Sequence, residues 1–128
     1  MNELRLTGKV FSGKKEGHSF IKLGWVQTQL KQLIGFTPYP GTLNVKLSAE
    51  GSRLRKQLKT YASAKIVPEE NYCDCVVFKA LLNEIECAVV IPKVKGYSDD
   101  VVEVVAPVNL RAQLGLEDGD EITVLVQA

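Results

Sequence analysis

The sequence predicts a mainly β fold, a small β-barrel or a closed, strongly twisted sheet with one or two short helices. About seven segments have strand-like patterns, only two have helical spacing, and strands do not alternate with helices as they do in parallel βαβ proteins. With 128 residues and 45% hydrophobic content, the chain fits one domain over residues 1–128 with a sizeable core.

The N-terminal third predicts a hairpin-like opening followed by a helix. Residues 4–11 alternate apolar and polar side chains, as half-buried strands do, and residues 18–23 form a second predicted strand after the glycine-bracketed loop of residues 13–17. Apolar residues recur at three- and four-residue spacing in residues 25–34. This spacing predicts an amphipathic helix that ends at Gly35.

Residues 35–47, GFTPYPGTLNVKL, predict a shaped turn that leads directly into a strand, because Pro38, Pro40 and Gly41 do not fit inside a helix or a central strand. The next segment, residues 48–59, is polar and contains Arg53, Arg55, Lys56 and Lys59. We expect it to be a solvated loop or short helix, with these basic side chains in water.

The C-terminal half predicts strands at residues 61–67, 72–82, 84–91, 101–106 and 121–126. Residues 82–84 predict a tight reversal between two paired strands. Asn109 is a favourable N-cap for one or two helical turns over residues 109–114, and a turn at residues 118–120 precedes the last strand. The continuous apolar runs at residues 88–91 and 101–105 predict the most buried strands.

Composition and charge give no support to several classes of function. Sixteen basic and fifteen acidic residues give a net charge of +1, which offers no support for binding to nucleic acid or to an anionic membrane. Neither a signal peptide nor a membrane-length apolar run is present, so we expect a cytoplasmic protein, and we expect a monomer. The three cysteines have neither disulfide nor zinc-site spacing, which favours buried free thiols.

Thr42 and Asn44 predict a metal half-site. Residues two apart in a strand share a face, so the two side-chain oxygens would project together, opposite Leu43 and Val45. Mg²⁺ prefers oxygen ligands and combines one or two protein groups with water and phosphate. The alternative is that both residues serve only the local turn.

Two further segments could bind phosphate. The loop of residues 13–17 has glycines that can turn backbone N–H groups toward an anion, with Lys14 and Lys15 adding charge, although it is not a Walker A loop. Asn109 and Arg111 place a helix N-terminus beside an arginine. The alternatives are an ordinary turn in the first segment, and a cap with a surface arginine in the second.

Two isolated polar residues limit the possible chemistry. Glu103 interrupts an apolar strand, where its carboxylate either faces solvent or is kept for a ligand. His18 is the only histidine, which argues against a Ser/His/Asp or Cys/His hydrolase. No residue is identified as a general base.

Several motifs together resemble the archaeal CTP-dependent riboflavin kinases over nearly the whole chain, from Gly8 to Val126. They are Gly8-Lys9-Val10 with Ser12-Gly13 and Glu16-Gly17, Gly35-Phe36, PYPGTLN at residues 38–44, Val90-Ile91-Pro92, EVVAPVNLR at residues 103–111, LGL at residues 114–116 and DGD at residues 118–120. Their shared order and spacing make the resemblance specific.

The resemblance implies a cradle-loop β-barrel that transfers the γ-phosphoryl group of CTP to the 5′-hydroxyl of riboflavin, giving FMN and CDP. It implies that Thr42 and Asn44 bind Mg²⁺ and that Glu103 and Lys95 contact the flavin. It assigns the nucleotide to two segments, which comprise Lys14, Lys15, Glu16, Gly17, His18, Ser19, Val108, Asn109, Leu110 and Arg111. Phosphoryl transfer needs mainly positioning and charge neutralisation, which such groups can supply.

The chain departs from the family pattern at three places. Lys15 stands where relatives carry the middle glycine of the first loop, Lys95 and Tyr97 stand where they commonly have Thr and His, and we expect no N-terminal helix-turn-helix domain. Three alternatives therefore remain beside a CTP-dependent kinase. They are a non-catalytic flavin- or nucleotide-sensing barrel, a DNA-binding barrel, and a kinase with a different nucleotide preference or acceptor.

Overall fold

A computed structural model of the protein describes residues 3–12, 24–58, 64–66, 75–92 and 96–127. In chain order, its elements are β1 (Glu3–Phe11), α1 (Gly24–Ile34), β2 (Leu43–Leu47), α2 (Ala49–Gln57), β3 (Ala64–Ile66), β4 (Cys75–Leu82), β5 (Ile85–Pro92), β6 (Val101–Val105), α3 (Leu110–Leu114) and β7 (Glu121–Gln127). None of the helices in these ranges is long and apolar enough to cross a membrane.

The strands form a closed antiparallel barrel. Neighbours follow the order β3, β4, β5, β6, β2, β1, β7, and pairing of β4 with β7 closes six of the strands into a ring. One edge of β4 is shared, because its first residues pair with the short β3 and Ala80 and Leu81 pair with β7. The predicted small closed β-barrel is confirmed, with three helices in the described ranges rather than one or two.

The barrel interior is filled by alternate residues of its strands. Leu6 and Val10 of β1, Val45 of β2 and Val124 of β7 are among the fully buried side chains, and each has a more exposed neighbour in sequence. This is the two-residue period of strands with one face on a core. The alternation that predicted β1 is therefore the alternation that fills the barrel.

Residues 88–91 lack this alternation because β5 is covered on both faces. Val89 points into the barrel core, whereas Ala88 and Val90 belong to a second cluster with Leu30 and Ile34 of α1. Helix α1 thus packs on the outside of the barrel, and a strand buried on both faces reads as a continuous apolar run. The high burial predicted for this run is confirmed for Ala88, Val89 and Val90.

Some of the predicted elements can be compared with the structure only in part, because they extend beyond the described residues. Asn83 and Glu84 have φ angles of 47° and 69°, the left-handed backbone that a two-residue hairpin needs, so the reversal predicted at residues 82–84 is confirmed. Strands predicted at residues 61–67 and 72–82 are described only at Ala64–Ile66 and Cys75–Leu82. The strand predicted at residues 18–23 lies outside the described residues.

The polar interval forms helix α2, and one expectation about it is wrong. Ser48 caps the helix by accepting a hydrogen bond from the Gly51 N–H at 3.1 Å, and the Ser48 N–H donates to the Thr7 carbonyl of β1 at 2.9 Å. Arg53 is exposed and paired with Glu50, as a solvated helix face predicts. Arg55, however, is only 7% exposed, because it lies on the face of α2 that packs against the barrel.

We expect Cys87 to resist alkylation in the native protein. Its side chain is 2% exposed in β5, and burial raises the pKa of the thiol to about 12, so the reactive thiolate is rare at pH 8. Iodoacetamide at pH 8 should leave the Cys87 peptide unmodified in native protein and modify it fully in denaturant, as followed by peptide mass spectrometry. Comparable rates in both conditions would show that this strand opens readily.

Candidate active site

The turn before β2 begins at the end of α1 and is joined to the barrel beside β6. Helix α1 ends at Ile34. The next residue, Gly35, has a φ of 83° and donates its N–H to the Lys31 carbonyl at 2.9 Å, the left-handed helix end that the glycine predicted. Further along, the Tyr39 N–H donates to the carbonyl of Ala106, just after β6, at 2.7 Å. The chain therefore enters β2 beside the end of β6.

Thr42 and Asn44 lie on the outer face at the start of β2. Leu43 and Val45 are buried in the barrel, whereas Thr42 and Asn44 are partly exposed. The side-chain alternation predicted from the pleat is therefore present in the structure. Asn44 also lies directly opposite Glu103 in the pairing of β2 with β6, so the candidate metal pair and the candidate flavin residue share one surface.

A cavity of about 290 Å³ opens on this surface. Its walls come from the end of β1, the turn and start of β2, the end of β6 and the start of α3. The lining residues are Phe11, Ser12, Tyr39, Gly41, Thr42, Leu43, Asn44, Val104, Ala106, Val108, Asn109, Leu110 and Arg111. Two groups predicted from separate parts of the sequence, Thr42 with Asn44 and residues 108–111, thus meet in one cavity.

Glu103 accepts hydrogen bonds from two sides. The Thr42 hydroxyl donates to one carboxylate oxygen, Oε1, at 3.0 Å, and the Tyr97 hydroxyl donates to the other, Oε2, at 2.8 Å. The side chain is partly buried, so it does not extend freely into solvent. The carboxylate therefore links the start of β2 to the segment that precedes β6.

The part of the cavity lined by residues 108–111 is built around the short helix α3. Asn109 caps α3 by accepting from the Ala112 N–H at 3.2 Å, and its Nδ2 group donates to the Tyr39 hydroxyl at 3.3 Å. The predicted cap is therefore present. Tyr39 and Val108 are 39% and 36% exposed, so this rim presents apolar surface beside the capped helix.

Arg111 lines the cavity and is paired with an acid. One terminal nitrogen of its guanidinium donates to Asp118 Oδ1 at 2.6 Å, and the Ser12 hydroxyl donates to the same carboxylate at 2.9 and 3.0 Å. The hydrogen bond from Arg111, followed by that from Ser12, lowers the pKa of the Asp118 carboxyl. Asp118 thus holds Arg111 at the cavity wall, where its remaining N–H groups can meet an anion.

The other predicted site residues lie outside the described part of the structure. They are Lys14, Lys15, Glu16, Gly17, His18 and Ser19 of the glycine-bracketed loop, and Lys95. The strand that leads to the loop ends at Phe11, and both Phe11 and Ser12 line the cavity. Binding roles for these seven residues stay predictions.

Three residues of the site were not predicted in the roles they take. Asp118 was assigned to a turn and to a motif of the resemblance, Ser12 to another such motif, and Tyr97 to a position that departs from the family pattern, but none of them was assigned its contact in the site. Each acts through a contact with a residue distant in the sequence or on another element. No local spacing in the sequence signals such a contact, although two of the three residues belong to the motifs of the resemblance.

The side chains at the start of β2 fit a hard divalent cation. No group of three or more His, Cys, Asp or Glu residues able to hold a metal occurs in the described ranges. Thr42 donates its hydroxyl proton to Glu103, which leaves its oxygen lone pairs available for a cation. The Asn44 amide oxygen has the same hard, neutral character, and Mg²⁺ completes such a set with water and phosphate.

These features define a small closed β-barrel with a surface cavity whose mixed apolar and polar lining includes Thr42, Asn44 and Arg111. Residues 10–126 match the family model CTP-dep_RFKase, described as domain of unknown function DUF120. The chain belongs to this family, that of the CTP-dependent riboflavin kinases, as the motifs of its sequence predicted.

Curated relatives agree with this assignment. The chain is 37% identical to a riboflavin kinase of Archaeoglobus fulgidus over 96% of its own length and 54% of the relative. It is 41% identical to one of Pyrobaculum arsenaticum, covering 96% of this chain and 60% of that protein. It is 32% identical to one of Saccharolobus solfataricus, covering 98% and 75% respectively. The chain thus spans little more than half the length of the first two relatives.

Proposed function

We propose that this barrel catalyses transfer of the γ-phosphoryl group of CTP to the 5′-hydroxyl of riboflavin, with FMN and CDP as products. In this reaction the hydroxyl oxygen bonds to the γ-phosphorus, the bond to the β–γ bridging oxygen breaks, and the hydroxyl proton is released. The observation that carries the proposal is the convergence of Thr42, Asn44 and residues 108–111 on one cavity in a chain of this family.

Different residues of the site would position the cation, the nucleotide and riboflavin. Thr42 and Asn44 would hold Mg²⁺, which when bound neutralises phosphate charge. Arg111, oriented by Asp118, and N–H groups at the start of α3 would donate hydrogen bonds to nucleotide oxygens. Glu103 would contact riboflavin on the acceptor side. A loose phosphoryl-transfer transition state is stabilised mainly by positioning of the reactants and by neutralisation of phosphate charge. The reaction therefore does not require a strong general base, and none is assigned.

The proposal predicts FMN formation by the purified chain. With riboflavin and Mg²⁺, chromatographic detection of FMN should show turnover with CTP above that with ATP, GTP or UTP. Turnover fastest with another nucleotide would support the kinase and overturn its CTP preference. No FMN above the no-enzyme control with all four nucleotides would overturn the kinase, and riboflavin binding without product would then favour a flavin sensor.

A further inference from the structure

Arg55 is a buried charge that the proposed phosphoryl transfer does not use. It lies in the last turn of α2 and is the buried charged side chain among the described residues. Burial lowers the pKa of its guanidinium, and the negative charges of Asp99 and Asp100 oppose that shift. An arginine held in such a place is unfavourable unless its surroundings use its hydrogen bonds and charge.

The Arg55 side chain reaches the segment that leads into β6. Its Nε group donates to the carbonyl of Val101, the first residue of β6, at 3.1 Å. The preceding carbonyl, that of Asp100, accepts from the Leu47 N–H of β2 at 2.6 Å. In the segment of residues 97–101, Asp100 and Val101 are thus tied to α2 on one side and to the end of β2 on the other. The Val101 N–H also donates to the Ser98 carbonyl at 3.3 Å within that segment.

This segment supplies the hydroxyl that orients Glu103. Tyr97 donates to Glu103 Oε2 at 2.8 Å, while Thr42 occupies Oε1 at 3.0 Å. Each oxygen of the carboxylate therefore accepts a hydrogen bond, one from Thr42 of the candidate metal pair and the other from Tyr97 in the segment of residues 97–101. A shift of residues 97–101 would release one side of Glu103 while leaving the contact from Thr42 in place.

We propose that Arg55 is a positioning residue for the acceptor side of the site, acting through Tyr97 on Glu103. This inference rests on the proposed function, because it takes Glu103 as the riboflavin contact. Arg55 itself meets no substrate. The nucleotide side is held by separate contacts, from Asn109 to Tyr39 and from Arg111 to Asp118, so a defect at Arg55 should affect riboflavin much more than CTP.

The test compares two arginines of the same helix. Arg55→Met keeps a long side chain but removes its charge and donors, and Arg53→Met makes the same change at an exposed position paired with Glu50. We expect Arg55→Met to raise the KM for riboflavin about tenfold and to change the KM for CTP less than twofold, since a small misplacement of a binding group has effects of this order. Arg53→Met should change neither.

A double-mutant cycle tests the route through Tyr97. Tyr97→Phe removes the hydroxyl group that donates a hydrogen bond to Glu103, and it should reproduce the rise in the KM for riboflavin. The double variant should be no worse than the more affected single variant, because both changes break the same connection. Fully multiplicative effects, or equal rises in KM for riboflavin and CTP, would overturn the proposed route.

Hydrogen exchange separates this inference from the proposed function. In ligand-free protein, Arg55→Met should speed exchange of the Leu47 amide, which donates to Asp100, about tenfold relative to amides of β7, and Arg53→Met should not. If the wild type makes no FMN, the kinase proposal fails, and this measurement still decides whether Arg55 anchors the segment. If Arg55→Met does not fold, Arg55→Lys replaces it with the same expected direction. Unchanged exchange and unchanged riboflavin KM would overturn the inference.

Discussion

Replacing Asn44 by alanine should lower kcat/KM for FMN formation by about 100-fold or more and leave the barrel folded. Asn44 lies on the outer face of β2, partly exposed and lining the cavity, so its amide contributes little to the core. Its removal takes away one of the two neutral oxygens proposed to hold Mg²⁺. Initial rates measured across Mg²⁺ concentrations should therefore show a weaker apparent affinity for the cation as well as a lower maximum.

The matched control for Asn44→Ala is Lys46→Ala. Lys46 follows on the same face of β2, is exposed, and does not line the cavity, so this variant should keep wild-type rates and Mg²⁺ dependence. Thermal unfolding of both variants should stay close to that of the wild type. A rate for Asn44→Ala within twofold of the wild type at limiting Mg²⁺ would remove Asn44 from the proposed metal site.

Much of the barrel could be predicted because its strands follow the simple rule of one buried and one exposed face. The alternation in β1 and β2 and the Asn83 reversal are local signals, and each is present in the structure. The buried position of Arg55 could not be predicted in this way. Arginine is usually exposed, and only the packing of α2 against the barrel and the carbonyl of Val101 reverse that tendency.

The candidate site was predictable to the extent that its parts are short motifs. The shared face of Thr42 and Asn44 could be predicted from the pleat of one strand, and the cap at Asn109 from the residue preference of one helix start. That these residues line one cavity could not be predicted from the same local signals. The contacts of Glu103 with Tyr97 and of Arg111 with Asp118 depend on where the closed barrel brings separate segments together. Such contacts are set by tertiary structure rather than by spacing in the sequence.

Replacing Gly8 by alanine should destabilise the barrel by about 3 kcal/mol, a large share of the stability of a domain of this size. Gly8 lies within β1, between Leu47 of β2 and Ile122 of β7. A Cβ atom at this position would lie 2.4 Å from the Lys46 carbonyl oxygen and 2.8 Å from the Leu47 Cα. Both are backbone atoms of β2, so the clash cannot be relieved by a side-chain rotation, and the strands must separate.

Urea unfolding measures this effect, with Lys9→Ala as the control. Lys9 is the next residue of β1 and is exposed, so its replacement should change the free energy of unfolding by no more than about 0.5 kcal/mol. Because β2 also carries Asn44, Gly8→Ala should weaken Mg²⁺-dependent turnover even where the protein remains folded. If Gly8→Ala proved as stable as Lys9→Ala, β1 and β2 would not approach each other at Gly8 as closely as the structure shows.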